Sequence, residues 1–165
     1  MNLTVITPPP FEPVSLSEVY AHLRLDPEHP GSPSETSHQD DALLALQVTA
    51  AREFVELATR RALVQQTLRL SLPAFPCAYG GGWATVDRTA TLAVERALLH
   101  RPPLQRVEQV AYYDADNALQ IVDPALYYAT DDRVAELRFV SSFAAPSVYD
   151  RPDAVRIDYV AGSTA

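Results

Sequence analysis

Apolar and polar positions change rhythm several times along this chain, and each rhythm predicts a different element. Leu3 and Val5 alternate with polar neighbours before Pro8, Pro9, Pro10 and Pro13 end any regular structure, because proline lacks a donor N–H and fixes φ. Residues 1–14 are therefore expected to form an extended arm, lying either on a neighbouring subunit or on the arm's own domain. Val14-Ser15-Leu16-Ser17-Glu18-Val19 then reads as a helix start. Ser15 is placed to cap it, Glu18 to return the bond three residues later, and Val14 to pack on Val19. Leu16, Val19, Tyr20 and Leu23 share one apolar face, and the helix ends before Asp26-Pro27, since the residue preceding proline is pushed out of the α region.

Residues 26–39 hold three prolines, a glycine, serines and two histidines with little to bury, which predicts a mobile loop. From Asp40 to about Leu63 the pattern becomes helical. Leu44, Val48, Ala51, Val55, Ala58 and Ala62 recur at helical spacing, and Leu43, Leu46, Ala50, Phe54 and Leu57 widen the stripe. A stripe this wide implies contacts on more than one side. Asp40 and Asp41 fall at the positive end of the helix dipole, and Arg60 and Arg61 at the negative end.

Beyond residue 63 the period shortens to two. Leu68-Arg69-Leu70-Ser71-Leu72 alternates as a half-buried strand does, and Pro73 and Pro76 stop it. Further short segments at 92–99, 107–113, 119–122, 126–130, 135–140 and 155–160 are separated by turn signals. Asp114-Ala115-Asp116-Asn117-Ala118 suits a hairpin loop, because Asp and Asn tolerate left-handed backbone and bond their own main chain. Helices first and strands afterwards give an α+β fold, in which a short helix and a long helix (15–63) pack with a small antiparallel β-sheet part (64–165) as one domain.

Composition narrows the function. A chain of 165 residues with 47% hydrophobic residues can bury a full core. The net charge of −8 argues against wrapping nucleic acid, whose binding needs cations to displace phosphate counterions. All 13 basic residues are Arg, which fits either bidentate contacts at protein interfaces or the codon bias of a GC-rich genome. The single Cys77 forms no intramolecular disulfide, Met1–Ile6 is too short and uncharged for a signal peptide, and no apolar run approaches membrane length, so no membrane is expected.

The candidate chemistry is weak at every point. His22, His29, His38 and His100 lack metal-ligand spacing, and Cys77 has no adjacent cation or His. Gly80-Gly81-Gly82 before Trp83 lacks the Lys-Ser/Thr of a phosphate loop and reads as a flexible tip with an apolar end. Asp40-Asp41 is explained by helix capping and Asp131-Asp132 by a turn. The stretch 100–120, HRPPLQRVEQVAYYDADNALQ, gathers a His, acids and two tyrosines, yet on a regular strand Tyr112 and Tyr113 point to opposite faces. No catalytic, cofactor or metal residue is assigned. The alternative of a small enzyme built from scattered residues requires a deep polar pocket around a titratable group with a shifted pKa.

Several segments in order carry a resemblance. "PVSLSEVYAHLRL", Asp-Asp before a long helix ending "ELATRRALVQQT", "RPPLQRVEQVAYYDAD", "DPALYY" and "RPDAVRIDYVAG" together resemble the head–tail connector (adaptor) proteins of tailed bacteriophages and gene transfer agents, from about Pro13 to Gly162. The resemblance implies a non-enzymatic virion protein of the neck, made in the host cytoplasm. It implies a homo-oligomeric ring, typically a dodecamer, docked between the portal protein and a stopper or tail-completion protein, with double-stranded DNA passing through without specific binding. Members of the family continue past the equivalent of Ala161-Gly162 into further helices, whereas this sequence stops at Ala165. Another phage neck- or tail-completion protein is the alternative within the same class. Contacts to partners are expected from the arm with Phe11, the loop 26–39, the tip 79–83 with Tyr79 and Trp83, and the helix end Arg60-Arg61.

Overall fold

The computed structural model describes residues 2–25, 40–76, 96–131 and 134–164. The element order is β1 (Asn2–Thr7), α1 (Leu16–Leu23), α2 (Asp41–Thr59), β2 (Gln66–Leu72), β3 (Arg96–Leu98), β4 (Leu104–Tyr113), β5 (Leu119–Ile121), a 3-10 turn (Pro124–Leu126), β6 (Tyr127–Asp131), β7 (Ala135–Phe139) and β8 (Val155–Ala161). Two helices and two antiparallel sheets make the expected α+β fold, with one strand, β1, preceding the helices. The loop 26–39 and the tip 79–83, with Tyr79 and Trp83, lie outside the described residues, as do Cys77 and Asp132.

Five strands form one sheet in the order β1-β2-β8-β4-β5, and three form a second in the order β3-β7-β6. Every pairing within them is antiparallel. Period-two alternation dictates which side chains meet. Leu68, Leu70 and Leu72 of β2, Ile157 and Tyr159 of β8 and Val110 of β4 face Ala97, Ala135, Leu137 and Phe139 of the smaller sheet, and this is the core. Phe75 closes one end of it, edge-on to Phe139 at 5.7 Å and to Tyr112 at 5.4 Å. Tyr159 is fully buried, and its hydroxyl donates to the His100 carbonyl at 2.7 Å, so the one polar atom it carries inward is satisfied.

The arm resolves to one of its two readings. β1 adds to the edge of its own sheet through β2, with Leu3 opposite Leu70 and Val5 opposite Leu68. The arm thus begins as an extended edge strand on its own sheet and continues into the proline-rich segment. The capping box of α1 is formed as the sequence predicts: Glu18 N–H donates to Ser15 Oγ at 3.3 Å and Ser15 N–H to Glu18 Oε2 at 2.7 Å.

The corner and hairpin of residues 100–121 are also as expected. Arg101 takes a positive φ of 61°, the Pro102–Pro103 bond is cis, and β4 then pairs with β5 across a loop in which Asn117 has φ 62°. The Asp114 carboxylate accepts from the N–H groups of Asp116 and Ala118, which is the Asx-type bonding that holds such a loop. After β8 the chain passes so close to Val64 that a Cβ on Gly162 would lie 2.2 Å from the Val64 carbonyl oxygen, and φ there is +108°. Only glycine fits that crossing.

Candidate functional site

The helix α2 reverses the usual distribution of side chains. Arg52 and Glu56 are among its buried residues, at 7% and 1% exposure, while Leu46, Phe54 and Leu57 stand 66%, 71% and 70% exposed. With Leu43 and the exposed Ala50, these residues recur every three or four positions and so line one face of the helix. The spacing of 43, 46, 50 and 57 matches the seam of a packed helix pair. Here that seam faces water.

The opposite face is held by ion pairs and hydrogen bonds. Arg52 Nε donates to Glu12 Oε2 at 2.8 Å, and Thr49 Oγ1 donates to Glu12 Oε1 at 2.9 Å, so the segment after β1 is clamped to the helix. Arg52 Nη1 donates to Glu56 Oε2 at 3.2 Å. Glu56 Oε1 accepts from the Leu63 N–H at 2.9 Å and from Gln66 Nε2 at 3.0 Å, and Arg101 Nη1 lies 3.6 Å from Glu56 Oε2. Two carboxylates meet two guanidinium groups, and the buried oxygens of Glu56 are fully used. A buried network costs little only when complete, as this one is.

The expected apolar stripe of α2 is thus corrected. Leu44 is buried and Val48 half-buried, but Ala51, Val55 and Ala58, placed in the same row by spacing, are exposed, and the helix ends at Thr59 instead of about Leu63. Arg60 is the C-cap with φ 56°, left-handed backbone that breaks the helix there. Asp40 occupies the N-cap without a side-chain capping bond, and Asp41 accepts from the Tyr20 hydroxyl, joining α1 to α2.

The residues read as possible chemistry do not converge. His22 is exposed on α1, and His29 and His38 lie outside the described residues. The His100 ring is half-buried, and burial, followed by the charge of Arg60, holds its pKa below the usual value. Its Nε2 is buried with no hydrogen-bond partner among the described residues, which suits a neutral ring. The Asp131 carboxylate accepts from the Leu104 N–H at 3.2 Å and sits in β6, a strand position where a turn was expected. Tyr112 packs inward on Phe75, whereas the guanidinium groups of Arg151 and Arg156 lie 3.8 and 4.7 Å from the centre of the Tyr113 ring, so the tyrosine pair diverges as expected. Among the described residues no group of three or more His, Cys, Asp or Glu side chains is placed to hold a metal ion. A groove of about 260 Å³ beneath the arm, lined by Thr7, Pro8, Gln65, Gln66 and Arg106 among others, presents amides, hydroxyls and one guanidinium, with no acid–base pair.

Of the expected contact residues, Phe11 is 45% exposed on the arm, and Arg60 and Arg61 are exposed at the end of α2. The wide stripe leads to the expectation that the helix 40–63 packs against a neighbour as well as its own sheet, with Leu46, Phe54 and Leu57 in that stripe but not among the named contact residues. The available signal was the width of the stripe, together with Arg52 and Glu56 interrupting it on one side.

No protein-family model and no curated protein matches the sequence. Solved structures do match over nearly the whole chain. A chain in the neck of an empty gene transfer agent (GTA) particle, computed with C6 symmetry, superposes with a TM-score of 0.70 at 23% identity, covering 98% of this chain and 71% of that one. A chain in the virion of a native GTA particle gives 0.68 at 23% identity, over 98% and 72%. A chain in the neck of a native GTA particle, computed with C12 symmetry, gives 0.59 at 21%, over 98% and 70%. The fold of this protein is the fold of those chains.

Proposed function

We propose that this protein is a structural component of a phage or gene-transfer-agent neck, a ring-forming head–tail connector that sits between the portal and the stopper or tail and lines the DNA channel. The likeness of fold to chains of GTA necks, extending over 98% of this chain, carries the reading. The C6 and C12 symmetries of those necks favour a closed ring of identical subunits, a dodecamer at the higher symmetry. The outward apolar face of α2 gives such a ring a surface to close with, since a row of large apolar side chains on a soluble protein marks an interaction site.

Charge supports the channel role. With a net charge of −8 per chain, a ring of these subunits carries an excess of negative charge, which disfavours holding phosphates and favours free passage of a duplex. Phe11, Tyr79, Trp83, Arg60 and Arg61 are the contact residues proposed toward the portal, the stopper or tail, or adjacent subunits. The role is architectural: a fixed shape presented to two partners, with no reaction to perform.

Negative-stain electron microscopy and mass photometry of the purified chain over rising concentration test this reading. Rings of about twelve copies, as in the C12 neighbour, are the expected result. A chain that stays monomeric at every concentration overturns it.

A further inference from the structure

Two apolar patches stand exposed at opposite corners of the five-stranded sheet, and they differ in shape and charge. The first is the face of α2 with Leu46, Phe54 and Leu57. Its helix is tied through Glu56 to Gln66, the first residue of β2, and through Arg52 to Glu12, just past the edge strand β1. The second is β5, the strand at the far edge of the same sheet, where Leu119 and Ile121 are 53% and 66% exposed. The two side chains share one face of the strand, since they are two residues apart. β5 pairs with residues 111–113, the end of β4 remote from Leu104, which lies opposite Ala161 where Gln66 also pairs.

Charge separates the patches as well. Leu57 is followed by Arg60 and Arg61, both exposed and without an ion pair among the described residues. The hairpin carrying Leu119 holds the exposed Asp116, and Asp123 follows Ile121. A convex apolar helix with a basic end and a short apolar strand with an acidic rim are complementary to each other. Because they lie at opposite corners, one chain cannot join them.

We infer that copies of this chain associate head to tail, the α2 face of one seating on the β5 edge of the next, with Arg60 and Arg61 toward Asp116 and Asp123. This rests on the ring reading above and names its contact: a heterologous interface, which repeats around a rotation axis and closes when the rotation divides a full turn. An isologous contact of α2 on α2 would stop at a dimer.

The test uses two variants of the full chain, each blocked on one patch at an exposed position. Leu57→Asp loses the helix face and keeps the strand edge; Ile121→Asp does the reverse. Circular dichroism melting first establishes that both fold as the wild type does. Each variant alone is then expected to be monomeric in size exclusion with light scattering, and an equimolar mixture is expected to give a discrete 1:1 dimer that neither gives alone. If the wild type forms rings but the mixture stays monomeric, or if Ile121→Asp alone still forms rings or dimers, the head-to-tail pairing is overturned and the ring reading stands. A wild type that never assembles overturns both. Exchanging charges adds a second readout: Arg61→Asp is expected to lower assembly at least tenfold, and Asp116→Arg in the same chain to restore part of it.

Discussion

The five-stranded sheet and the helix α2 obey opposite rules within one chain. In the sheet, apolar residues at alternate positions are buried: Leu68, Leu70, Ile157 and Val110 are at most 1% exposed. In α2 the largest apolar residues are outside and a charged pair is inside. The hydrophobic drive is the same in both places, roughly 25 cal/mol for each Å² of apolar surface removed from water. What differs is where the covering surface comes from. The sheet is covered by the second sheet of the same chain, whereas the described residues provide no such cover for the face of α2.

The largest effect on the monomer is expected where the two regions join. Glu56→Ala removes the acceptor for Arg52, Gln66 and the Leu63 N–H at once, leaving the Gln66 amide buried without its acceptor and Arg52 with Glu12 as its remaining close partner, and a loss of about 3–5 kcal/mol is expected. Glu56→Gln keeps an acceptor oxygen and is expected to lose less. Urea unfolding of the two variants measures this, and equal losses would show that the charge itself holds the helix. Next comes the core of the sheet. Leu68→Ala leaves a cavity between the sheets and is expected to cost about 2–5 kcal/mol in the same measurement. The comparison breaks if Glu56→Ala is harmless, because α2 would then be held by something other than its ion pairs.

This difference also explains what the sequence made legible. The strands could be read because alternation in Leu68–Leu72 or Val155–Val160 sets one apolar row apart from its polar neighbours, and the turn chemistry of Asp114 to Ala118 is local. The cap of α1 was equally local, with Ser15 and Glu18 three residues apart. The sidedness of α2 was not local. Spacing shows that Leu44, Val55 and Leu57 lie on a helix; which of them meets the sheet depends on Glu12, Gln66 and Arg101, remote in sequence, which draw Arg52 and Glu56 inward. The arm was ambiguous for the same reason, since only the pairing with β2 decides whether Leu3 and Val5 belong to their own sheet. The contact surface was the hardest part, because a residue that packs on another copy looks, in one sequence, like a residue of the core.

Acid should loosen the joint and the sheet in two separate steps. His100, beside the joint, has its pKa lowered by burial and by Arg60, so the unfolded chain takes up a proton first. Its stabilising contribution is therefore complete above about pH 6.5, the ordinary histidine value, and declines as pH falls below it. In the turn leading into β8, hydrogen bonds from Arg151 and Arg156 hold Asp153 down to about 2. Burial pushes Asp158 up, but the bonds from Arg69 and Gln109 outweigh it and leave that carboxyl below its ordinary value. These carboxylates contribute above about pH 4 and lose their contribution as pH falls toward 2. Urea midpoints measured from pH 7.5 downward should show a first decline that His100→Leu removes and a second that it leaves in place. A single decline below pH 4 in the wild type would mean that the His100 ring takes up a proton as readily in the folded chain as in the unfolded one.

The smallest expected effect on the monomer is the sharpest probe of the comparison. Phe54→Ser exchanges the one aromatic of α2 for a small polar residue, and because the ring already stands mostly in water its removal takes little buried surface from the fold. The unfolding free energy of the isolated chain should change by no more than about 0.5 kcal/mol. The same exchange at Phe139, 7% exposed in the core, should unfold a large share of the molecules. If Phe54→Ser destabilises the monomer by as much as a core variant, the face of α2 is covered within the chain itself and the contrast drawn between helix and sheet disappears. If stability is unchanged while association is lost, the apolar face of α2 contributes nothing to folding and belongs to the assembly.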